Sequence, residues 1–227
     1  MISIGEQKNG TSRISAALRA VSWDADAISV SSRDVTVRSV RNEWEMDEVY
    51  RMTHDAYVER GYTVPRPDGR LIHYPHLDGI PETTVLVAEV EGELVGTNSF
   101  TFDNSFGLPD DVDFRRECDA IRQEGRKLAA SWRLVTRSGY RDERQIVMGL
   151  IQESIRRIVE TGVTTCLFTF NPRHERVYQR LLNMKTVARS GETSGLQNAP
   201  AVFMRCDFET LPAWCLKEVA VAVPAWR

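Results

Sequence analysis

Between residues 143 and 170 the chain sets an amphipathic helix directly before a short, almost wholly apolar strand. That juncture restricts the fold more than any other feature. Ile146, Val147, Leu150, Ile151, Ile155, Ile158 and Val159 recur at helical spacing from Glu143 to Thr161, and Gly162 stops the run. The segment TTCLFTF (164–170) then lacks the alternation of a half-solvated strand. Such continuity belongs to a strand covered on both faces, as central parallel strands are.

The remaining elements fall around this core. Asp34–Val40 alternates valine with polar residues and predicts a first strand. A helix is expected from Glu43 to about Arg60, with Asn42 as its cap and Glu45 completing a capping box. Residues 61–82 carry four prolines and form no regular element; a loop this long in a compact domain is functional or disordered, and its aromatic content favours function. Strands at 83–90 and 94–103 make a hairpin across Glu91-Gly92-Glu93. An inserted segment follows, helical over 114–125, then a strand from Lys127 to about Thr136. After TTCLFTF, Asn171-Pro172 starts another helix, and two strands near 186–192 and 199–208 close the domain. The expected order is β-α-loop-β-β-(insert)-β-α-β-α-β-β, a mixed α/β sheet with helices on both faces. Residues 1–33 read as a mobile leader, 34–208 as the domain, and 209–227 as a tail ending in a short packed helix.

Composition narrows function by exclusion. The 227 residues suit one domain, with 42% apolar and 27% charged residues. The four cysteines at 118, 166, 206 and 215 form no CxxC pair and do not group with the four histidines, so no metal site is expected. His73 and His76 in the proline-rich loop are two ligands at most, and His54 is weaker still. No secretion signal or run of eighteen apolar residues occurs, which predicts a cytoplasmic protein with no transmembrane segment. A net charge of -3 argues against nucleic-acid binding. Residues 126–180 nevertheless hold eleven Lys/Arg against five Asp/Glu. Such a region fits either a local anionic partner or a solvated helix face.

The order of elements is that of the GNAT acyltransferase fold. The stretches YVERGY (57–62), VGTNSFTFD (95–103), GLPDD (107–111), SWRLV (131–135), NPRHERVYQRLL (171–182) and APAVFMRCDF (199–208) resemble the long-chain N-acyl amino acid synthases of the FeeM type. These are relatives of the acyl-homoserine-lactone autoinducer synthases, and the resemblance spans about residues 40–208. It implies transfer of a long acyl chain to the α-amine of an amino acid or small amine. The donor would be a phosphopantetheine thioester on acyl carrier protein, with a CoA thioester as the alternative and no bound cofactor. In this fold two central parallel strands, here 127–136 and 164–170, splay apart to admit the donor. Autoinducer synthases carry a glutamate three residues before the strand arginine; here that position is Ala130, so a carboxylate base is missing from it. Competing readings are an acetyl-CoA-dependent acetyltransferase and a degenerate GNAT that binds an acyl carrier or lipid without turnover.

Donor-binding residues are expected on the first of those strands and the turn after it. Backbone N–H groups near Leu134 and Val135 are placed to stabilise an oxyanion. The turn RSGYRDERQ holds a single glycine, Gly139, and lacks the GxG/A spacing of a pyrophosphate cradle, which suits a donor with one phosphate. Arg137, Arg141 and Arg144 would meet that phosphate or the acidic carrier. Alternation sets Arg133 on one face with Ser131 and Val135, either in a structural ion pair or as an anchor for a substrate carboxylate. Tyr178 is either a proton donor to the leaving thiolate or a core residue. His174 would cap the helix, orient a neighbour or act as base. Tyr57, Tyr62, Tyr74, Phe100 and Phe102 are expected to wall the acceptor and acyl pocket.

Overall fold

The computed structural model describes residues 35–140 and 143–216, so the whole of the leader and the C-terminal half of the tail lie outside the described residues. The elements run β1 (Thr36–Ser39), α1 (Glu43–Glu59), β2 (Thr83–Val90), β3 (Glu93–Phe102), α2 (Asp111–Gln123), β4 (Leu128–Thr136), α3 (Glu143–Glu160), β5 (Thr165–Phe170), α4 (Glu175–Leu182), β6 (Lys185–Ser190), β7 (Ala201–Asp207) and α5 (Ala213–Leu216). The order matches the sequence expectation. Pro172–His174 forms a 3-10 turn before α4, with Asn171 Oδ1 accepting from Arg173 N. At α1, Asn42 Oδ1 accepts from Glu45 N as expected. The reciprocal half of the capping box is absent, because Glu45 instead accepts from Arg41 N and pairs with Arg38.

Seven strands form one sheet in the order β1-β2-β3-β4-β5-β7-β6. β4 and β5 are the parallel pair, and the other neighbours are antiparallel. Alternating side chains separate the two faces. Leu86 and Ala88 of β2 pack with Ile146, Leu150 and Ile158 of α3, whereas Val87 between them packs with Val49 and Met52 of α1. Beyond β4, Leu128, Ala130 and Leu167 pack on the same face as α1, against Phe114 and Ile121 of α2.

One irregularity interrupts this alternation. Thr97 pairs with Val135 and Ser99 with Trp132, so two residues of β4, Arg133 and Leu134, stand opposite Asn98 alone. Arg133 takes up the extra residue at φ 60, a left-handed conformation rare for a residue with a Cβ. Such a β-bulge bends its strand and reverses the parity of all that follows. Arg133 therefore shares a face with Val135, as expected, but not with Ser131. Its guanidinium stacks on its own neighbour Trp132, 4.2 Å from the ring centroid. The assumption of unbroken alternation fails because a bulge shifts register by one.

The face gained by Arg133 holds the proline-rich loop. Arg133 Nη2 donates to Asp78, and both side chains are almost fully buried. Leu77 is also buried, and Tyr74 meets Trp132 edge-on at 5.2 Å. A charged pair and an aromatic contact thus fix a segment with no regular structure onto the sheet.

Two outcomes test this packing. A Cβ on Gly96 of β3 would lie 2.8 Å from Ile146 Cγ2 of α3, so Gly96→Ala is expected to cost about 1–3 kcal/mol in urea unfolding. Asp78→Asn strands the Arg133 guanidinium in the interior and should cost about 3–5 kcal/mol, and an apolar pair (Asp78→Leu with Arg133→Met) should recover most of it.

Candidate active site

β4 and β5 stay paired from Leu128↔Thr165 to Ser131↔Phe168 and then separate. Residues 132–136 of β4 continue without a partner on that side, so their backbone polar groups there are not used by the sheet. The gap opens into a cavity of about 180 Å³. Leu134 and Val135 line it on the β4 side, and Phe168 and Phe170 on the β5 side. Its depth lies against α3, where Val147, Ile151, Ile155 and Ile158 span twelve residues, or ~16 Å of helix. Leu182 and Phe208 complete an apolar interior. At the fork, Ser131 Oγ donates to Asn98 Oδ1 at 3.1 Å, and Asn98 Nδ2 donates to Ser154 Oγ at 2.8 Å. This chain of hydrogen bonds satisfies the side chains of Ser131, Asn98 and Ser154 at the fork.

Tyr178 lies 7% exposed in the wall of this cavity, its ring stacked on Phe170 at 4.2 Å. Burial pushes its phenol up to about 12, so it stays protonated. At the mouth stand Arg60, Arg173 and His174. Burial, then Arg173 and Arg60, push the His174 imidazole down to about 4. His174 occupies the N-cap position of α4 without a side-chain cap bond. Its Nε2 accepts from Arg173 Nε at 3.0 Å, which engages the lone pair a base would need. Of the three roles open to it, orientation of Arg173 fits this geometry.

A second cavity of about 100 Å³ borders the first. The two share Tyr57, Tyr62, Ser131, Trp132, Arg133 and Thr169 as lining, so they meet where the strands part. The proline-rich loop supplies His73 and Tyr74, stacked at 4.0 Å, and the turn before α2 supplies Asp110. Several buried polar atoms here lack a hydrogen-bond partner: Tyr62 Oη, His73 Nε2, and both Nε and Nη1 of Arg133. Buried polar groups without a partner are few in a packed interior, and here several border one cavity. Burial and then Arg133 push His73 down to about 4, so it is neutral. Asp110 is 4% exposed, accepts from Thr169 Oγ1 at 2.5 Å, and is pushed up to about 7 by burial.

The structure thus brings together Arg133, Leu134, Val135, His174, Tyr178, Tyr57 and Tyr62, with Tyr74 in the adjoining cavity. Other expected residues stand apart. Arg137 donates to Glu48 and to the Leu94 carbonyl, holding the end of β4 to α1 and β3. Gly139, at φ 94, turns the exposed loop before α3. Arg144 is exposed on the first turn of α3, and Arg141 lies outside the described residues. None of Arg137, Gly139 and Arg144 lines either cavity. Phe100 and Phe102 meet edge-on at 5.6 Å within the core under α3, and neither lines a cavity. They sit one strand away from the gap, where the helix itself covers the sheet. Sequence reasoning missed Asp78, Asp110, Asn98, Ser154 and the pair Arg60 and Arg173. Asp110, Asn98, Arg60 and Arg173 lay within the family-like stretches without being singled out; Asp78 and Ser154 carry no local signal, since Arg133 and Asn98, their partners, are 55 and 56 positions away.

Among the described residues no three His, Cys, Asp or Glu side chains group as metal ligands, and no helix is long and apolar enough to cross a membrane. No curated protein matches the sequence. Among solved structures, FeeM, an N-acyl amino acid synthase from uncultured soil microbes, is 22% identical, with 78% of this chain and 92% of that one covered at a TM-score of 0.69. The acyl-homoserine lactone synthase LasI is 13% identical over 86% of this chain and 97% of its own, at 0.58. An acyl-CoA N-acyltransferase from Pseudomonas aeruginosa is 17% identical over 76% of this chain and 99% of its own, at 0.51. At such identities these neighbours show the fold, which is GNAT-like. Residues 48–207 match the family described as N-acyl amino acid synthase FeeM, well over half of the chain. The chain therefore belongs to the FeeM family of N-acyl amino acid synthases and is an N-acyltransferase of GNAT-like fold.

Proposed function

We propose that this protein moves a long-chain acyl group from the phosphopantetheine of an acyl carrier protein to the α-amine of an amino acid, by direct attack of the amine on the thioester. The observation that carries this reading is the gap between β4 and β5 leading into the apolar cavity along α3. A pantetheine arm is thin enough to pass between separated strands, and the alkyl chain beyond the thioester has an apolar interior to enter. Burial of each methylene contributes ~0.8 kcal/mol, so chain length sets much of the affinity. The backbone N–H of β4 at Leu134, next to Val135 and turned towards the open β5 side, supplies a donor to the developing oxyanion.

The second cavity suits the acceptor. Arg133 has Nε and Nη1 without partners beside the Nη2 bond to Asp78, and either could donate singly to a substrate carboxylate. Tyr178 at about 12 is a poorer acid than an ordinary thiol near ~8.5. Its role is then to donate a hydrogen bond to the departing sulfur rather than to surrender its proton. Carrier protein as donor is supported by charge: Arg60 and Arg173 stand at the mouth, with Arg176 and Arg180 exposed on the adjoining helix. Arg60 is held below its ordinary pKa by burial and by Arg173, and an arriving phosphate would relieve that repulsion.

Purified protein incubated with long-chain acyl carrier protein and mixed amino acids should form N-acyl amino acids by mass spectrometry, more slowly with long-chain acyl-CoA and not with acetyl-CoA. Ile155→Trp, which fills the cavity floor, should lower kcat/KM for the longest chain more than tenfold, since two displaced methylenes amount to about 1.6 kcal/mol. A shorter chain should be spared. No acylated amine from any donor would sink the reading.

A further inference from the structure

Amine attack needs a proton acceptor, and β4 brings no carboxylate to its open edge, where residues 128–136 read LAASWRLVT. The acceptor amine carries an ammonium proton at neutral pH and must lose it before its nitrogen lone pair can bond to carbon. Most titratable groups around the two cavities are committed. The His174 lone pair is taken by Arg173. His73, at about 4, is too weak a base to hold an ammonium proton. Asp78 is bound to Arg133, and burial holds Tyr57, Tyr74 and Tyr178 protonated.

Asp110 is different in place and in bonding. It is the N-cap residue of α2, yet its side chain makes no cap bond. Capping with an Asp side chain typically contributes ~1 kcal/mol, so a carboxylate turned elsewhere has forgone a ready local partner. It turns to Thr169 on β5, one residue past the last β4–β5 pair, and borders the cavity that holds the unused atoms of Arg133, His73 and Tyr62. Leu108, two residues before it, packs with Ala130 and Leu167, which places this turn over the sheet face where Ala130 projects.

We infer that Asp110 is the proton-accepting residue for the attacking amine, supplied by the turn before α2 in place of a carboxylate on β4. The inference rests on the N-acyltransferase reading above. The ammonium proton passes to the Asp110 carboxylate, and the freed lone pair forms the C–N bond. The C–S bond then breaks, the sulfur leaves as thiolate and takes up the second nitrogen proton, and the products are amide and thiol. Asp110 returns its proton to solvent. A carboxyl held near about 7 is ionised enough to accept and basic enough to hold a proton at neutral pH. Facing it are the Thr169 hydroxyl and its own backbone N–H, which lower it, and Asp111 and Asp113 on its own helix, which raise it further. Tyr74, Cys118 and Cys166 also face it, and all three remain protonated through this range. The cationic group on the same cavity is Arg133, already bound to Asp78.

The sign for stability is opposite to that of a salt-bridged aspartate. The folded-state pKa exceeds the unfolded value, so the folded protein holds the extra proton between about 4 and 7 and loses stability as pH rises through that window. Asp110→Asn should therefore raise Tm by several degrees at pH 8 and leave it unchanged at pH 4. The same variant should lower kcat at least 100-fold with long-chain acyl carrier protein while KM for that donor stays within threefold. In the wild type, log kcat/KM should rise with pH to a plateau above about 7. Thr169→Val should move that limb upward, and Asp110→Glu should restore part of the rate. Asp110→Asn activity within threefold of wild type, a limb that survives in that variant, or a Tm that falls at pH 8 would each overturn the inference. A wild-type protein that acylates nothing defeats the transferase reading itself; an active wild type with an active Asp110→Asn defeats this inference alone.

Discussion

One extra residue in β4 governs the site. By placing Arg133 in a left-handed conformation opposite a single residue of β3, the bulge bends the strand just beyond its last pair with β5. A regular parallel pair would have carried its hydrogen-bond ladder on to the end of β5 at Phe170, two pairs further, and narrowed the gap. A strained conformation at a non-glycine residue costs ~1–3 kcal/mol and persists where its surroundings over-determine it. Here the surroundings are the Asp78 carboxylate, the Trp132 ring beneath the guanidinium and the Tyr50 ring beside it. The interaction that stabilises the bulge is thus the one that fixes the proline-rich loop, and the second cavity has that loop as a wall.

The cavities divide the chemistry by polarity. The first is deep and apolar along α3, and its polar groups gather at the mouth and at the Ser131–Asn98–Ser154 fork. The second is small and rich in buried polar atoms without partners. They touch at Ser131–Arg133 and Thr169–Asn171, the last residues before and after the strands part. A reaction joining an alkyl thioester to a zwitterionic amine needs such a division, because an apolar tunnel cannot desolvate a carboxylate and an ammonium without partners. Burial also sets the protonation states. It keeps both cavity histidines neutral and the phenol of Tyr178 protonated, and it lifts Asp110 towards neutrality.

What the sequence by itself determined was everything that depends on local period. The helix of 143–160, the apolar strand after it and the order of elements are written in spacings of 3.6 and 2, and the structure has them within a few residues. The family was legible too, because stretches such as NPRH and GLPDD keep their residues together in the chain. Leu134, Val135, Tyr178, Tyr57 and Tyr62 lie in such stretches and line the gap. Only the tertiary structure decided which side chains face one another. Phe100 reads as a pocket aromatic in the sequence and is core, since a strand's period does not say whether a helix or a gap covers it. Asp78 is 55 positions from Arg133, and Asp110 is 59 from Thr169. A pairing across such distances leaves no periodic trace, and a single inserted residue in β4 reverses the facing of all that follows it.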